Sequence, residues 1–152
     1  MKAKIIYDKK INISSELEEM ISLGGEGYGA IMVYIGVVKG VVEGKKVLEL
    51  KYECIPNLAE KKIRELAEEA LNSDGIGDVR IYHRIGSFKP GEPVLYILVA
   101  GVSRKNVYNV MKDLVEKVKH ELPVWKMEVR EDGVYWVVSD GLRVRREFKG
   151  KI

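Results

Sequence analysis

The 152-residue sequence predicts an α+β fold with a largely antiparallel sheet and about three helices. Three observations carry this. Apolar β-branched runs come in adjacent pairs, two long segments carry helical spacing, and tight-turn dipeptides join the paired runs. A doubly wound parallel sheet would instead alternate strand and helix throughout.

Taken in order, Lys4 to Tyr7 reads as a short first strand. Ser15-Glu16-Leu17-Glu18 has the pattern of a capping box opening a short helix, which ends at Gly24-Gly25. Gly29 to Val38 is an apolar, β-branched stretch and reads as a buried strand. Lys39-Gly40 and Glu43-Gly44 bracket a loop. Val47 to Tyr52 then alternates, with Leu48, Leu50 and Tyr52 expected on one face. Asn57 is placed to cap a helix with Glu60 at the box position, and Ala59, Ile63, Leu66, Ala67, Ala70 and Leu71 recur at helical spacing. Asp74-Gly75-Ile76-Gly77 ends that unit. Strands around Val79–Ile85 and Pro93–Val102 are joined by a Lys89-Pro90-Gly91 turn. A long helix is predicted from Lys105 to His120, with Val107, Val110, Met111, Leu114, Val115 and Val118 on one face and Pro123 marking its end. Trp125–Arg130 and Val134–Val138 flank Glu131-Asp132-Gly133, a hairpin signal. Residues 143–152 read as a mobile basic tail. No linker or repeat interrupts the chain, so 1–152 is read as one domain.

Composition excludes several function classes. Lys and Arg number 26 against 23 Asp and Glu, a net charge of +3 that speaks against a polycationic tail binder. No apolar run approaches the roughly 20 residues of a membrane helix. The charged N-terminus does not read as a signal peptide, and the single cysteine, Cys54, has no internal disulfide partner, so a cytoplasmic location is expected. His83 and His120 are far apart and no Cys/His spacing fits a metal, so neither metal nor cofactor is expected. No nucleotide-binding loop is present; the Gly24–Gly29 run precedes a strand rather than opening a helix. Nucleic-acid binding, suggested only by the basic tail, lacks an aromatic-rich basic face.

What remains is a set of cations at punctuated places. Lys39 ends a buried strand, and Ser103-Arg104-Lys105 stands where a strand hands over to the long helix, where free amides suit an anion. Lys119 lies near that helix's C-terminus. Lys126 sits among Val124, Trp125 and Met127, surroundings that can lower a lysine's pKa and fit it for acid–base work. The residues alone lead to an anion-binding lysine/arginine site.

At these residues the chain resembles the large, catalytic subunit of molybdopterin synthase. The resemblance runs through Gly29-Ala30-Ile31, Gly36-Val37-Val38-Lys39, Tyr52-Glu53 with Pro56–Lys61, His83-Arg84-Ile85-Gly86 and Pro90-Gly91-Glu92. It continues through Pro123-Val124-Trp125-Lys126-Met127-Glu128, Glu131-Asp132-Gly133 and Trp136-Val137. It implies an α/β hammerhead-like domain and an enzyme that installs two sulfurs on cyclic pyranopterin monophosphate. The sulfur arrives as the C-terminal Gly-Gly thiocarboxylate of a small ubiquitin-like subunit. The assembly implied is a homodimer of the catalytic subunit within a heterotetramer, with no nucleic acid or membrane partner. The family's two catalytic lysines fall on Lys119 and Lys126, and its anion-binding arginine on Arg104. Two positions depart from the family. Lys39 stands where an arginine is common, keeping the charge and losing the bidentate fork; Ser103 stands where a histidine is common and carries no charge. Both are expected at the substrate. Arg143 or Arg145 is expected to replace a family arginine contributed across the dimer, with Arg143 counted among the substrate-binding residues. A non-catalytic adaptor for a ubiquitin-like partner is the competing reading.

Overall fold

The computed structural model describes residues 1–7, 9–139 and 141–146. Its order is β1 (Lys2–Tyr7), α1 (Ile13–Ile21), β2 (Ala30–Val37), β3 (Val41–Val42), β4 (Lys45–Cys54), α2 (Pro56–Leu71), β5 (Ile76–Phe88), β6 (Pro93–Gly101), α3 (Arg104–Glu121), β7 (Val124–Arg130), β8 (Gly133–Ser139) and β9 (Leu142–Arg145). The strands form one sheet in the order β2-β6-β5-β4-β7-β8-β9, with β3 paired to β4. All pairings are antiparallel except β1, which lies parallel to β5. The α+β class with three helices and a largely antiparallel sheet is therefore as the sequence predicts.

Two helices cover one face. α2 turns Ala59, Ile63, Leu66, Ala67 and Ala70 inward, and α3 turns Val107, Met111, Leu114 and Val118 inward. Both stripes meet Val79, Ile81 and Ile85 of β5 and Leu95, Ile97 and Val99 of β6. The alternate residues Tyr82, Tyr96, Leu98 and Ala100 point to the opposite face, where Met20 of α1 covers them. Both faces of β5 and β6 are thus buried, which accounts for their nearly continuous apolar reading. Arg80 ties α1 to the sheet through Glu16 (2.6 Å) and Asp78 (3.0 Å).

β5 changes partners along its length. Arg80 to Ile85 pair with β1, whereas Gly86 to Phe88 pair with Tyr52 to Leu50 of β4. Gly86 sits at the change with a φ of 133°, a conformation that side chains disfavour, and lets the strand bend into the second half of the sheet. There Val38, Val42, Val47, Leu50, Phe88 and Val94 form a separate small core.

Local signals were less exact than periodicity. Asn12, not Ser15, caps α1, its side-chain oxygen accepting from the Ser15 amide at 3.2 Å. α2 begins with Ile55 at the cap and Pro56 in the first turn, so Asn57 and Glu60 lie inside the helix. The regular alternation expected of Val47–Tyr52 is broken by a bulge between Val47 and Glu49, which leaves Val47 and Leu50 both buried and Leu48 half-exposed. The segment from residue 143 does not begin a free tail: Leu142–Arg145 add β9 to β8. Residues 147–152 of the expected tail lie outside the described residues. No helix among the described residues is long and apolar enough to cross a membrane.

Candidate active site

The short connection between α3 and β7 builds the site. α3 stops at Glu121, Pro123 forbids its continuation, and the Val124 amide donates to the Leu122 carbonyl at 2.7 Å across a three-residue turn. Lys119 in the last helical turn and Lys126 on the following strand are thereby brought to one cleft of about 1030 Å³. The same cleft receives Lys39 from the segment after β2 and Arg143 from β9. Of the cations predicted to converge, Lys39, Lys119 and Lys126 do so within one chain, and Arg143 joins them.

Each is held differently. Lys39 follows Val38, whose amide donates to the Glu92 carbonyl (3.0 Å) and whose carbonyl accepts from the Gly91 amide (2.9 Å). The β5–β6 turn thus fixes the Lys39 segment. Lys119 is exposed and makes no hydrogen bond or ion pair with a described residue. Lys126 is half-buried, paired in register with Tyr52 of β4 and Val137 of β8, with its Nζ 6.0 Å from the Tyr52 ring centre. Arg143 uses its Nε and Nη2 to donate to the two carboxylate oxygens of Glu128, at 3.0 and 3.3 Å. Glu128 lies two residues beyond Lys126 on the same face of β7 and is only 4% exposed.

His83 forms part of the cleft wall. It is packed and hydrogen-bonded there: Nδ1–H donates to the Arg84 carbonyl at 2.9 Å, and the ring meets Tyr52 edge-on at 5.0 Å. Burial, with the Lys126 charge adding to it, pushes its pKa down to about 4, so the imidazole is neutral near pH 7. Burial likewise pushes the Tyr52 hydroxyl well above its ordinary value, keeping it protonated. Tyr34, Trp125 and Trp136 complete an aromatic lining. Glu128 and these aromatics escape sequence reasoning because nothing local distinguishes them from surface or core residues; register alone brings them here.

Ser103 and Arg104 are placed elsewhere. They stand at the N-terminal end of α3, roughly 22 Å along the helix from Lys119 at 1.5 Å per residue. The Ser103 amide (3.2 Å) and hydroxyl (2.8 Å) both donate to the Asn106 side-chain oxygen, so Ser103 serves the helix cap. Arg104 is exposed and does not line the cleft. Cys54 is half-buried, with its sulfur 3.7 Å from the Tyr7 hydroxyl. Among the described residues no cluster of three or more His, Cys, Asp or Glu could hold a metal.

Fold and cleft together define a small α+β protein that gathers several cations and aromatic rings in one cleft. The MoaE protein family model matches residues 6–121, and the chain belongs to that family. It is 33% identical over 140 residues to the molybdopterin synthase catalytic subunit of Pyrococcus abyssi, covering 91% of this chain and 94% of that protein. The crystal structure of molybdopterin synthase from Staphylococcus aureus superposes with a TM-score of 0.78 at 30% identity, covering 90% of this chain and 98% of that one. A Helicobacter pylori complex of subunits 1 and 2 of molybdopterin-converting factor shares the fold (TM-score 0.69, 18% identity, 96% and 90% covered).

Proposed function

We propose that this chain is the catalytic subunit of a molybdopterin synthase, acting in the cytoplasm on cyclic pyranopterin monophosphate. The observation that carries the reading is the convergence of Lys119 and Lys126 on one cleft in a chain of this family. The sulfur donor is the thiocarboxylate at the C-terminal Gly-Gly of a small ubiquitin-like subunit. Its anionic sulfur bonds to a pterin side-chain carbon as a carbon–oxygen bond at that carbon breaks and the departing oxygen takes up a proton, leaving an acyl thioester between the two molecules. Water then attacks the acyl carbon, the acyl–sulfur bond breaks, and the tail departs as a carboxylate while the sulfur stays on the pterin. A second round completes the dithiolene.

The side chains match these needs. The exposed Lys119 ammonium has no partner among the described residues to compete with an incoming thiocarboxylate, and it stabilises the negative charge that develops on the acyl oxygen. Lys126, beside Tyr52 deeper in the cleft, faces the pterin and assists the proton transfers. Lys39 and Arg143 receive anionic parts of the substrate. Arg104 and Ser103 lie too far from Lys119 in the same chain to share its cleft, so their part in substrate binding is assigned to the cleft of a second copy. That arrangement requires a homodimer of this chain, and the two small subunits bound to it complete a heterotetramer.

The test mixes the purified chain with a thiocarboxylated small subunit and the cyclic pterin precursor and assays dithiolene product. Product formation is expected. Its absence where an established synthase works would overturn the proposal.

A further inference from the structure

We propose that Glu43 is a built-in counter-anion of the cleft, which the anionic group of the ligand displaces from the Arg143 guanidinium. The inference rests on reading the cleft as an anion site and adds a specificity-determining residue to it.

Glu43 and Gly44 are the two central residues of the β3–β4 hairpin, where Val42 pairs with Lys45. Their φ angles are 53° and 73°, the twist such a two-residue turn requires. Glycine and asparagine suit that geometry, and Glu43 is the one non-glycine residue with positive φ among the described residues. A longer side chain at the strained position has something to reach. The hairpin is pinned beside the β7–β8 turn: the Lys46 amide donates to a Glu131 carboxylate oxygen (3.0 Å) and the Glu131 amide donates to the Lys46 carbonyl (2.9 Å). So held, the Glu43 carboxylate lies 3.4 Å from Arg130 Nη1 and 4.0 Å from Arg143 Nη1, at the wall of the cleft.

The two acids around Arg143 are not equivalent. Glu128 is buried and takes the Nε/Nη2 edge with two hydrogen bonds. The Glu43 side chain is 56% exposed and meets only the remaining Nη1, at the outer limit of an ion pair. Glu128 is therefore the permanent partner that orients the guanidinium, and Glu43 the exchangeable one. Arg130 loses little when Glu43 moves away, because Asp132 binds its Nε at 3.0 Å and Tyr135 lies 3.7 Å beneath its guanidinium. A carboxylate in this position competes with weakly held, singly charged anions. It yields to a phosphate, which brings more charge and more acceptor oxygens to the same donors.

The test is titration calorimetry with inorganic phosphate at fixed low ionic strength, using the whole chain and neither partner nor pterin. Glu43→Gln is expected to tighten phosphate binding about two- to fivefold, the range of an exposed ion pair. The gain should vanish when Arg143→Ala is also present. Unchanged or weaker binding in Glu43→Gln, an equal gain without Arg143, or no phosphate binding by any variant would each overturn the proposal. Tightening by Glu43→Gly but not by Glu43→Gln would trace the effect to the backbone and overturn it too. The dithiolene assay reports separately on the enzymatic reading, so the two can fail independently.

Discussion

Lys119→Ala separates chemistry from folding more cleanly than any other change in the cleft. The Lys119 side chain is exposed and has no partner among the described residues, so its removal opens no cavity and strands no charge. The expected stability cost is the loss of a cation from the last turn of α3, about 0.3–1 kcal/mol. For a chain of this size that is a drop in Tm of at most about 4 °C. Turnover, in contrast, should fall by roughly 10²–10⁴-fold, the range for losing a positioned acid–base group or an oxyanion donor. Partner binding should stay measurable. Lys119→Arg divides the two roles, since it keeps the charge but cannot give up its proton near neutral pH. Substantial rescue by arginine marks electrostatic stabilisation, and none marks proton transfer. Single-turnover dithiolene formation and a thermal melt on the same preparations make the measurement. Near-full activity in Lys119→Ala, or activity loss accompanied by a Tm drop beyond about 10 °C, refutes the assignment.

Three further outcomes are expected. Glu128→Gln weakens the two-point anchor of Arg143 and leaves two neighbouring guanidiniums short of one buried charge, which should cost about 2–3 kcal/mol once relaxation of Arg143 toward solvent is allowed for; a denaturant midpoint equal to wild type would contradict this. His83 stays neutral in the fold down to about pH 4, whereas an unfolded imidazole takes up its proton near 6.5. The unfolded state thus binds more protons in that window, and stability should fall as pH drops from about 6.5 to about 4, by about 3 kcal/mol in all. Stability curves of wild type and His83→Asn should converge at the acid end, and parallel curves would refute the point. Arg104→Ala should raise the apparent KM for the pterin with little effect on Tm, because Arg104 is exposed at a helix start; an unchanged KM removes it from substrate binding.

Much of the architecture is legible in the amino-acid order because burial follows period. The inward stripes of α2 and α3 and the apolar runs of β5 and β6 are visible as patterns before any coordinates. Where one residue decides the local geometry, pattern reading slips. Asn12 displaces Ser15 as a cap, and one bulge turns Leu48 out of the face it was expected to share with Leu50. The β9 strand is missed because Leu142–Arg145 carries too little apolar content to signal burial; its stability comes from pairing with β8 and from the Arg143–Glu128 bonds.

For the site, sequence alone determined which cations punctuate the elements, since Lys39, Lys119 and Lys126 each follow or end an apolar segment. Tertiary structure decided which of them meet. The Leu122–Val124 turn brings Lys119 and Lys126 to one cleft, while the length of α3 carries Ser103 and Arg104 to the far end. It also decided that Arg143 enters the cleft of its own chain and that Glu43 and Glu128 flank it on unequal terms. The physical reason is range. Periodicity and turn chemistry act over a few residues, whereas strand register and helix length set distances between residues that lie far apart in the chain.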